Sequence, residues 1–387
     1  MLPGSVVLVV DDNPAIADAL DVLLSLHDIH TISERSPEAA LARLAKDHVD
    51  LVIQDMNFTQ DTTSGQEGEE LFRAIRARHA DLPVILLTAW THLESAVDLV
   101  KAGAADYLAK PWDNKRLVAS VKNLLALGQA NRELARVRDS ERRRRGDLGA
   151  RFDLQGMIFA DPATERVVAM ACQVARSEVP VLITGPNGAG KERIAAIVQA
   201  NSTVREGPFV TLNCGALPSE LVEAELFGAE VGAYTGSVKA REGKFEAAHK
   251  GTLFLDEIGN LAPAAQMKLL RVLETGTFQR LGSNREIRVD VRVISATNAD
   301  IPALIREGQF REDLYYRLNV IELVVPPLAD RPRDVLPLAE AFLPAGKRLG
   351  AAARAALQRY RWPGNVRELR NVMQRAGLLS QRDEITP

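Results

Sequence analysis

A glycine-rich segment near the middle of the chain has the residue types that bind phosphate. It runs from Gly185 to Lys191 as G-P-N-G-A-G-K and fits the pattern G-x-x-x-x-G-K. In such loops the backbone N–H groups surround phosphates at a helix N-terminus, and the lysine adds a positive charge. An apolar run, Val179–Thr184, precedes the segment, and a helical pattern, Glu192–Ala200, follows it. The sequence therefore predicts a nucleotide-binding loop whose contacts come from Gly185, Gly188, Gly190 and Lys191.

An acidic pair follows a second apolar run farther along the chain. The run Thr252–Leu255 ends in Asp256 and Glu257. A carboxylate after such a strand can hold Mg²⁺ beside bound phosphates, and a second one can polarise the attacking water. We assign the metal to Asp256 and the water to Glu257. The alternative, a buried strand with an acidic end, is disfavoured because the pair follows the phosphate loop at a suitable distance.

A different set of carboxylates lies near the N-terminus. Asp11 and Asp12 follow one strand-like run, and Asp55 follows another. Clustered carboxylates can hold Mg²⁺, and a metal together with Lys110 would neutralise a phosphoryl group on Asp55. Thr88 could hydrogen-bond the new phosphoryl oxygens. Any one of these residues could merely cap a helix, but their joint occurrence in this order predicts a phosphoryl acceptor site.

Apolar runs and amphipathic helical patterns alternate through residues 1–125. This alternation indicates a doubly wound parallel sheet covered on both faces, with its active site beyond the carboxyl ends of the strands. The predicted strands are Val6–Val10, Thr31–Ser33, Leu51–Ile53, Val84–Leu87 and Asp106–Leu108, and the predicted helices include Pro14–Leu26 and Pro37–Asp47.

A second alternating pattern begins at Phe152. It contains the nucleotide-binding loop and two further predicted strands, Phe209–Asn213 and Val291–Thr297. After Pro326 the pattern becomes helical to the end of the chain. We therefore expect a second α/β layer structure, 151–325, followed by a helical subdomain, 326–387.

Residues 126–150 separate the two patterns and predict an extended helical linker, which could pair with its counterpart in a second copy. Apolar residues recur there at roughly heptad spacing, and a run of four arginines, Arg142–Arg145, follows them. We interpret this run as a solvated helix face rather than a nucleic-acid patch. The heptad-like positions are Leu124, Leu127, Leu134 and Val137.

The composition agrees with separate folded modules. Hydrophobic residues make up 46% and charged residues 26% of the 387 residues, which excludes a disordered chain. Residues 1–125 have a net charge of −8 and the remainder +5. The two cysteines suggest neither a disulfide framework nor a zinc site. Because apolar runs are short and a signal peptide pattern is lacking, we expect a cytoplasmic protein without membrane association.

The first module resembles the receiver domain of two-component response regulators over residues 5–125. The resemblance rests on the paired acids, Asp55, Thr88-Ala89 and Lys110-Pro111. It implies that Tyr107 is the aromatic switch residue and that a sensor histidine kinase is the partner. The polar loop Asn57–Gly68 is longer than the usual receiver loop, which puts partner choice and phosphorylation kinetics in question.

The second module resembles the AAA+ domain of NtrC-class bacterial enhancer-binding proteins, which remodel sigma-54 RNA polymerase, over residues 152–381. The segment Gly232–Ser237 reads G-A-Y-T-G-S and is similar to the family's GAFTGA loop. Glu192 follows the loop lysine. Most other phosphate-binding loops have Ser or Thr at this position, but Glu is the usual residue in this family. The resemblance implies that sigma-54 is contacted by Gly232, Ala233, Tyr234, Thr235 and Gly236.

Further residues match the motifs of this family. The resemblance implies that Asn298 is sensor I and that Asn213 contacts Glu257 and couples nucleotide state to the loops. Arg367 lies in Trp362–Leu369, which matches the sensor II motif. The resemblance implies that Arg367 reaches the nucleotide. The implied arginine fingers, which act on the neighbouring subunit's γ-phosphate, are Arg311 and Arg317.

These resemblances predict a sigma-54-dependent response regulator: a receiver (1–125), a linker and an AAA+ αβα sandwich with a helical lid. Phosphorylation of Asp55 would convert a dimer into a hexameric or heptameric ring that hydrolyses ATP with Mg²⁺ and remodels sigma-54 RNA polymerase holoenzyme. Family members usually continue into a helix-turn-helix domain. DNA binding is expected only through such a domain, which is absent from this chain.

Two other functions are compatible with parts of the sequence. One is an AAA+ ATPase that remodels another protein, for example an unfoldase that feeds a protease, but an aromatic-hydrophobic pore loop is not visible. The other is a phosphorylation-dependent scaffold that binds ATP without hydrolysing it. The acidic pair and the two candidate fingers argue against the scaffold.

Overall fold

The computed structural model describes residues 4–58, 65–88, 99, 101–233 and 240–386. The chain divides into two compact units, Met1–Ser140 and Glu141–Pro387. In the part of the chain that the structure describes, no helix is both long and apolar enough to cross a bilayer.

The first unit is built on a five-stranded parallel sheet with the strand order β2-β1-β3-β4-β5. All five residues of β3 and of β4 are buried, because helices cover both faces of the sheet. The strands are β1 (Val6–Val10), β2 (His30–Glu34), β3 (Leu51–Asp55), β4 (Val84–Thr88) and β5 (Asp106–Ala109), and the helices are Pro14–Ser25, Pro37–Leu44, Gln66–Arg78 and Asn114–Arg151.

Local sequence signals set where the helices of the first unit begin. The side chains of Asn13 and Ser36 accept hydrogen bonds from backbone N–H groups of the helices that they precede, and a proline follows each of them. Alternate residues of β1 pack on opposite faces: Leu8 and Val10 join one apolar cluster, and Val9 joins the other. Each predicted strand and each named helix of this unit is present, but several ends differ; the second helix, for example, ends at Leu44 rather than at Asp47.

The second unit contains a five-stranded parallel sheet with the order β12-β6-β11-β8-β7 and a hairpin of β9 and β10. The strands are β6 (Val181–Thr184), β7 (Phe209–Asn213), β8 (Thr252–Asp256), β9 (Thr277–Gln279), β10 (Glu286–Arg288), β11 (Arg292–Thr297) and β12 (Ile321–Val324). The helices that accompany this sheet are Pro162–Val174, Lys191–Ala200, Ser219–Phe227, Lys244–Ala247, Pro263–Thr275, Ile301–Arg306 and Glu312–Leu318, with a 3₁₀ turn at Ile258–Asn260.

The C-terminal part has its own apolar core, which includes Leu338, Trp362 and Leu369. It is helical, as predicted, but two short parallel strands also occur there, β13 (Arg348–Leu349) and β14 (Glu384–Ile385). The purely helical expectation was wrong at these positions, which hold too few residues for strand periodicity to show. The helices are Val335–Phe342, Ala351–Arg359 and Asn365–Leu379, with 3₁₀ turns at Leu328–Asp330 and Pro332–Asp334.

The predicted linker segment 126–150 lies inside the single helix Asn114–Arg151, here called the linker helix. Its last turns, from Glu141 onward, belong to the second unit and make contacts within it. Arg333 Nη1 lies 3.0 Å from a carboxylate oxygen of Glu141, and Arg145 Nη1 donates to the carbonyl oxygen of Ala160 at 3.2 Å. Part of the arginine run is therefore engaged in contacts and is not a solvated face.

Candidate functional site

Three carboxylates meet at the carboxyl edge of the first sheet. Asp11 follows β1 and Asp55 ends β3, and ligand atoms of Asp11, Asp12 and Asp55 all lie within 4.8 Å of one another. The Nζ atom of Lys110 is 2.8 Å from Asp11 Oδ2 and 3.0 Å from Asp55 Oδ2. Oxygen donors grouped in this way fit Mg²⁺. The sequence prediction of a joint acidic site with a lysine agrees with this geometry.

Burial raises the pKa of Asp55, and the charge of Asp11 acts in the same direction, whereas Lys110 opposes both. The Asp55 carboxylate is therefore held as an anion in an unfavourable environment. Thr88 is buried at the end of β4, beside β3, and Tyr107 on β5 packs against the apolar cluster of that sheet face. Tyr107 lies on the strand predicted for it, whereas Thr88, which was expected to follow the fourth strand, is the last residue of that strand.

The predicted nucleotide residues are collected at the carboxyl edge of the second sheet. β6 leads into the glycine-rich loop, β8 ends at Asp256, and β11 is followed by Asn298. Asn213 ends β7 and pairs in register with Asp256. Because β6, β11, β8 and β7 are consecutive neighbours, these residues line one continuous edge.

The glycine-rich loop 185–191, called the P-loop below, needs glycine where other segments approach it. A Cβ atom at Gly185 would lie 2.3 Å from the carbonyl oxygen of Val325, and one at Gly188 would lie 2.6 Å from that of Gly364. Both glycines also have positive φ values, 143° and 74°. Gly190 precedes the helix Lys191–Ala200 with a φ of 108°. Glycine at these positions thus allows the backbone of Val325 and of Gly364 to lie directly against the loop.

Lys191 is buried and donates hydrogen bonds from Nζ to the carbonyl oxygens of Gly185, at 2.9 Å, and Pro186, at 3.3 Å. Burial lowers its pKa, Asp256 and Glu257 raise it, and Arg367 lowers it. The charges of Asp256, Glu257 and Arg367 therefore all influence the Lys191 ammonium group. Glu192 is exposed in the first turn of the following helix, where a negative charge is favourable.

Glu257 has an unusual backbone conformation, with φ 55° and ψ 43° in the left-handed region. Such a conformation costs about 1–3 kcal/mol in a residue other than glycine and is common at functional sites. Its N–H donates to Asp256 Oδ1 at 3.0 Å, and Asn260 Nδ2 donates to its Oε2 at 3.3 Å. The hydrogen bond from the Glu257 N–H therefore fixes the Asp256 carboxylate relative to the backbone of Glu257.

Gly215 is a site residue that the sequence analysis missed. A Cβ atom there would lie 2.0 Å from Glu257 Oε2, so the absence of a side chain makes room for the carboxylate. Asn213 Oδ1 accepts a hydrogen bond from the Gly215 N–H at 2.8 Å. Asn213 therefore bonds the backbone of Gly215, the residue beside the Glu257 carboxylate, whereas a contact with Glu257 itself was expected. A lone glycine without a motif gives no sequence signal for this role.

The two candidate fingers are held by groups of the same chain. Arg311 forms two hydrogen bonds to Asp313, of 3.0 and 2.6 Å, which raise the pKa of Arg311, and Arg317 Nη2 donates to the carbonyl oxygen of Leu273 at 2.9 Å. Arg317 also lines a cavity of about 420 Å³ together with Val179 and Pro180, which precede β6. It therefore lies toward the amino edge of the sheet, opposite the P-loop of its own chain.

The base of the predicted sigma-54 loop is fixed by the backbone and by charges. Ala229 and Arg241 exchange two backbone hydrogen bonds, of 3.0 and 2.8 Å. Arg280 contacts both carboxylate oxygens of Glu246, at 2.8 and 2.6 Å, and Glu230 at 3.3 Å. The sequence did not reveal this arrangement, because the partners are far apart in the chain. Of the predicted contact residues, Gly232 and Ala233 are described, and Tyr234, Thr235 and Gly236 lie outside the described residues.

Comparison with known proteins decides the family. Residues 7–122 match the response regulator receiver domain, 157–324 the sigma-54 interaction domain, and 329–387 the AAA+ ATPase lid domain. The chain is 41% identical to the response regulator protein FleR of Pseudomonas aeruginosa, over 98% of this chain and 77% of that protein. This chain belongs to the sigma-54-dependent two-component response regulators. The predicted family and fold class are confirmed.

Other members of the family agree with this assignment. The chain is 40% identical to the transcriptional regulatory protein ZraR of Escherichia coli K12, over 96% of this chain and 82% of that protein. A solved structure of NtrX from Brucella abortus in complex with ATP is similar, with a TM-score of 0.56 and 33% identity, and covers 99% of this chain and 83% of that one. The sigma-54 activator domain is an AAA+ ATPase domain, and nucleotide binding is a property of its structural relatives.

The raised pKa of Asp55 predicts a pH-dependent effect of Asp55→Asn on stability. Its folded pKa lies above the unfolded value, about 3.9. Ionised Asp55 therefore destabilises the folded state. This destabilisation is absent below the unfolded pKa and is fully present above the folded pKa. At neutral pH, Asp55→Asn should raise the thermal midpoint of the first unit by about 3 °C, an advantage that shrinks as the pH falls toward 4.

A comparison of thermal midpoints with and without Mg²⁺ tests whether Asp55 is a cation ligand. Millimolar Mg²⁺ should raise the midpoint of the parent protein more than that of Asp55→Asn, because the variant lacks one of three oxygen ligands. Asp47→Asn, at an exposed acid paired with Arg43, is the matched control and should respond to Mg²⁺ like the parent. Equal Mg²⁺ shifts in the parent and Asp55→Asn would show that Asp55 is not part of the cation site.

Proposed function

We propose that phosphorylation of Asp55 by a sensor histidine kinase controls assembly of an ATP-hydrolysing ring that remodels sigma-54 RNA polymerase holoenzyme. The proposed parts are a receiver, 1–125, a helical linker, 126–150, an α/β ATPase subdomain, 151–325, and a lid, 326–387. The observation that carries the proposal is the single sheet edge at which the P-loop, the acidic pair and Asn298 follow neighbouring strands.

Each group at this edge has a chemical task in ATP hydrolysis. Lys191 holds the outer phosphates, Glu257 accepts a proton from the attacking water, and Asn298 orients that water or the γ-phosphate. Asp256 would hold Mg²⁺, which would neutralise negative charge on the phosphates. Arg367 adds positive charge from the lid. Nothing in this set requires a covalent intermediate, because positioning and electrostatics dominate phosphoryl transfer.

The position of Arg317 supports a site shared between subunits. It lies toward the amino edge of the sheet, whereas the P-loop lies at the carboxyl edge. An arginine so placed can reach the γ-phosphate of a neighbouring subunit more readily than that of its own. Arg311 would exchange Asp313 for this phosphate, since a guanidinium binds carboxylate and phosphate with the same fork of donors.

The loop base supports a mechanical output. The segment 234–239 is joined to the ATPase subdomain at Ala229 and Arg241, which are bonded to each other, and the Arg280 ion pairs tie this base to the turn after β9. A base fixed in this way would transmit movement of the ATPase subdomain to the loop. We therefore assign the sigma-54 contact to Gly232–Gly236.

Substitutions in the nucleotide site should separate binding from hydrolysis. Lys191→Ala should weaken ATP binding by about 100-fold or more, because the phosphates lose a buried positive charge. Glu257→Gln should keep ATP binding and lose hydrolysis by about 100-fold, because the proton acceptor is removed. Fluorescent-nucleotide titration and phosphate release measure the two effects. Glu307→Gln, at an exposed glutamate, is the control, and parental hydrolysis in both site variants would contradict the assignment.

Mixing experiments test the shared site. Arg317→Ala and Lys191→Ala should each be inactive alone, and a mixture should recover activity. At equal amounts, about a quarter of the interfaces in a randomly mixed ring combine an intact P-loop with an intact finger. Arg306→Ala, at an exposed arginine, should keep full activity unmixed. Specific activity that is independent of protein concentration, with no recovery on mixing, would exclude the shared site.

The sigma-54 contact is tested by Thr235→Ala. Hydrolysis of ATP should remain within about twofold of the parent, because the family resemblance places Thr235 at a partner contact rather than at the nucleotide. Capture of purified sigma-54 in the presence of ADP–aluminium fluoride should be lost. Thr203→Ala, at an exposed threonine elsewhere in the unit, should retain capture. Retained capture by Thr235→Ala, or none by the parent, would refute the transcription role while leaving the ATPase intact.

A further inference from the structure

Three successive carbonyl groups of the P-loop accept hydrogen bonds from the C-terminal part of the chain. These carbonyls lie within the loop whose backbone N–H groups bind phosphates in proteins of this type. Two of the donors lie at the start of the helix Asn365–Leu379, and the third precedes the 3₁₀ turn Pro332–Asp334. The pairs are Asn365 Nδ2 to Asn187 at 3.0 Å, Val366 N to Gly188 at 3.0 Å, and Arg331 Nη2 to Ala189 at 2.5 Å.

The third donor, Arg331, is a buried charge. Its side chain is 2% exposed, and burial lowers its pKa, while the charges of Asp334 and Asp161 raise it. Arg331 Nη1 lies 3.8 Å from Asp334 Oδ2. A buried guanidinium is expensive unless its partners are fixed. The guanidinium therefore depends on the Ala189 carbonyl and on Asp334 for its polar contacts, since its Nε has no hydrogen-bond partner among the described residues.

Asp334 supplies this constraint. It is fully buried, and its Oδ1 accepts hydrogen bonds from the N–H groups of Ala160, at 2.6 Å, and Asp161, at 2.7 Å. Its Oδ2 accepts from Thr164 Oγ1 at 2.5 Å. The carboxylate thus fixes the start of the helix Pro162–Val174 as well as the guanidinium of Arg331. Removal of either partner leaves the other charge buried with fewer contacts.

We propose that Arg331 is a positioning residue for the P-loop, held in place by Asp334, and that it sets the affinity of the loop for nucleotide phosphates. With Arg331 in place, the Ala189 carbonyl is satisfied from outside the loop, and the neighbouring N–H groups keep the orientation that phosphates need. Without it, this buried carbonyl must find another donor, and the loop rearranges. The inference deepens the proposed ATPase and rests on it.

The test uses the full-length chain and titration with a fluorescent ADP analogue. Arg331→Met keeps a long unbranched side chain but removes every donor, so Kd should rise about tenfold or more, which matches the loss of a hydrogen bond to a buried carbonyl. Arg331→Lys keeps one donor group, so its Kd should lie between those of Arg331→Met and the parent. Arg354→Ala, at a surface arginine paired with Glu340 in the same part of the chain, should bind like the parent.

Folding and positioning are separated by a second measurement. Hydrogen exchange of the P-loop amides without nucleotide should be faster in Arg331→Met, while exchange in the helix Ala351–Arg359 stays at the parental rate. A folded Arg331→Met with the parental Kd overturns the proposal. If this variant does not fold, Arg331→Lys decides, and a parental Kd for it overturns the proposal equally.

A different result is expected if the proposed ATP-binding site itself is wrong. In that case the parent itself would show no nucleotide binding that Lys191→Ala removes. If the parent binds, Lys191→Ala does not, and Arg331→Met binds like the parent, only the positioning role is lost.

Discussion

The close approach of the P-loop to its surroundings is the constraint on which the catalytic unit depends. Gly185 lies against the backbone that follows β12, and Gly188 lies against Gly364. These contacts leave no space for a side chain, so the loop is held between the sheet and the C-terminal helices. The shape of the phosphate loop therefore depends on both the sheet and the C-terminal part.

Both candidate phosphate sites place one lysine near two carboxylates. Lys110 bridges Asp11 and Asp55, and Lys191 is influenced by Asp256 and Glu257. In each site the charged form of a buried group is disfavoured by burial and supported by its neighbours. A cation or a phosphate group that enters therefore meets charges that are already positioned, which reduces the reorganisation needed during phosphoryl transfer.

Sequence reasoning located the residues that act within motifs. The P-loop, the acidic pair and Asp55 each follow a strand, so periodicity and spacing were sufficient to predict that they meet at sheet edges. Strand and helix types were also predicted, although β6 begins at Val181 rather than Val179. These features are local, and the parallel topology brings them together.

Residues whose role depends on distant partners could not be predicted. Gly215 matters because Glu257, more than forty positions away, occupies the space beside it. Arg280 and Glu246 form a pair across two elements, and neither belongs to a recognisable motif. Spacing carries no information about such contacts, since they follow from how helices pack on the sheet rather than from the order of residues.

The last turns of the linker helix are connected to the P-loop by a series of contacts within the second unit. Its residue Glu141 contacts Arg333, which adjoins Asp334, and its residue Arg145 contacts Ala160. Asp334 binds the N–H of Ala160 and the guanidinium of Arg331. Because these groups are packed and hydrogen-bonded in series, a displacement of the helix must either break a surface ion pair or shift the buried carboxylate. The exposed pair is the weaker element. The ion pair of Arg333 with Glu141 is therefore the contact that would break first if the end of this helix moved, while the buried carboxylate would keep its partners.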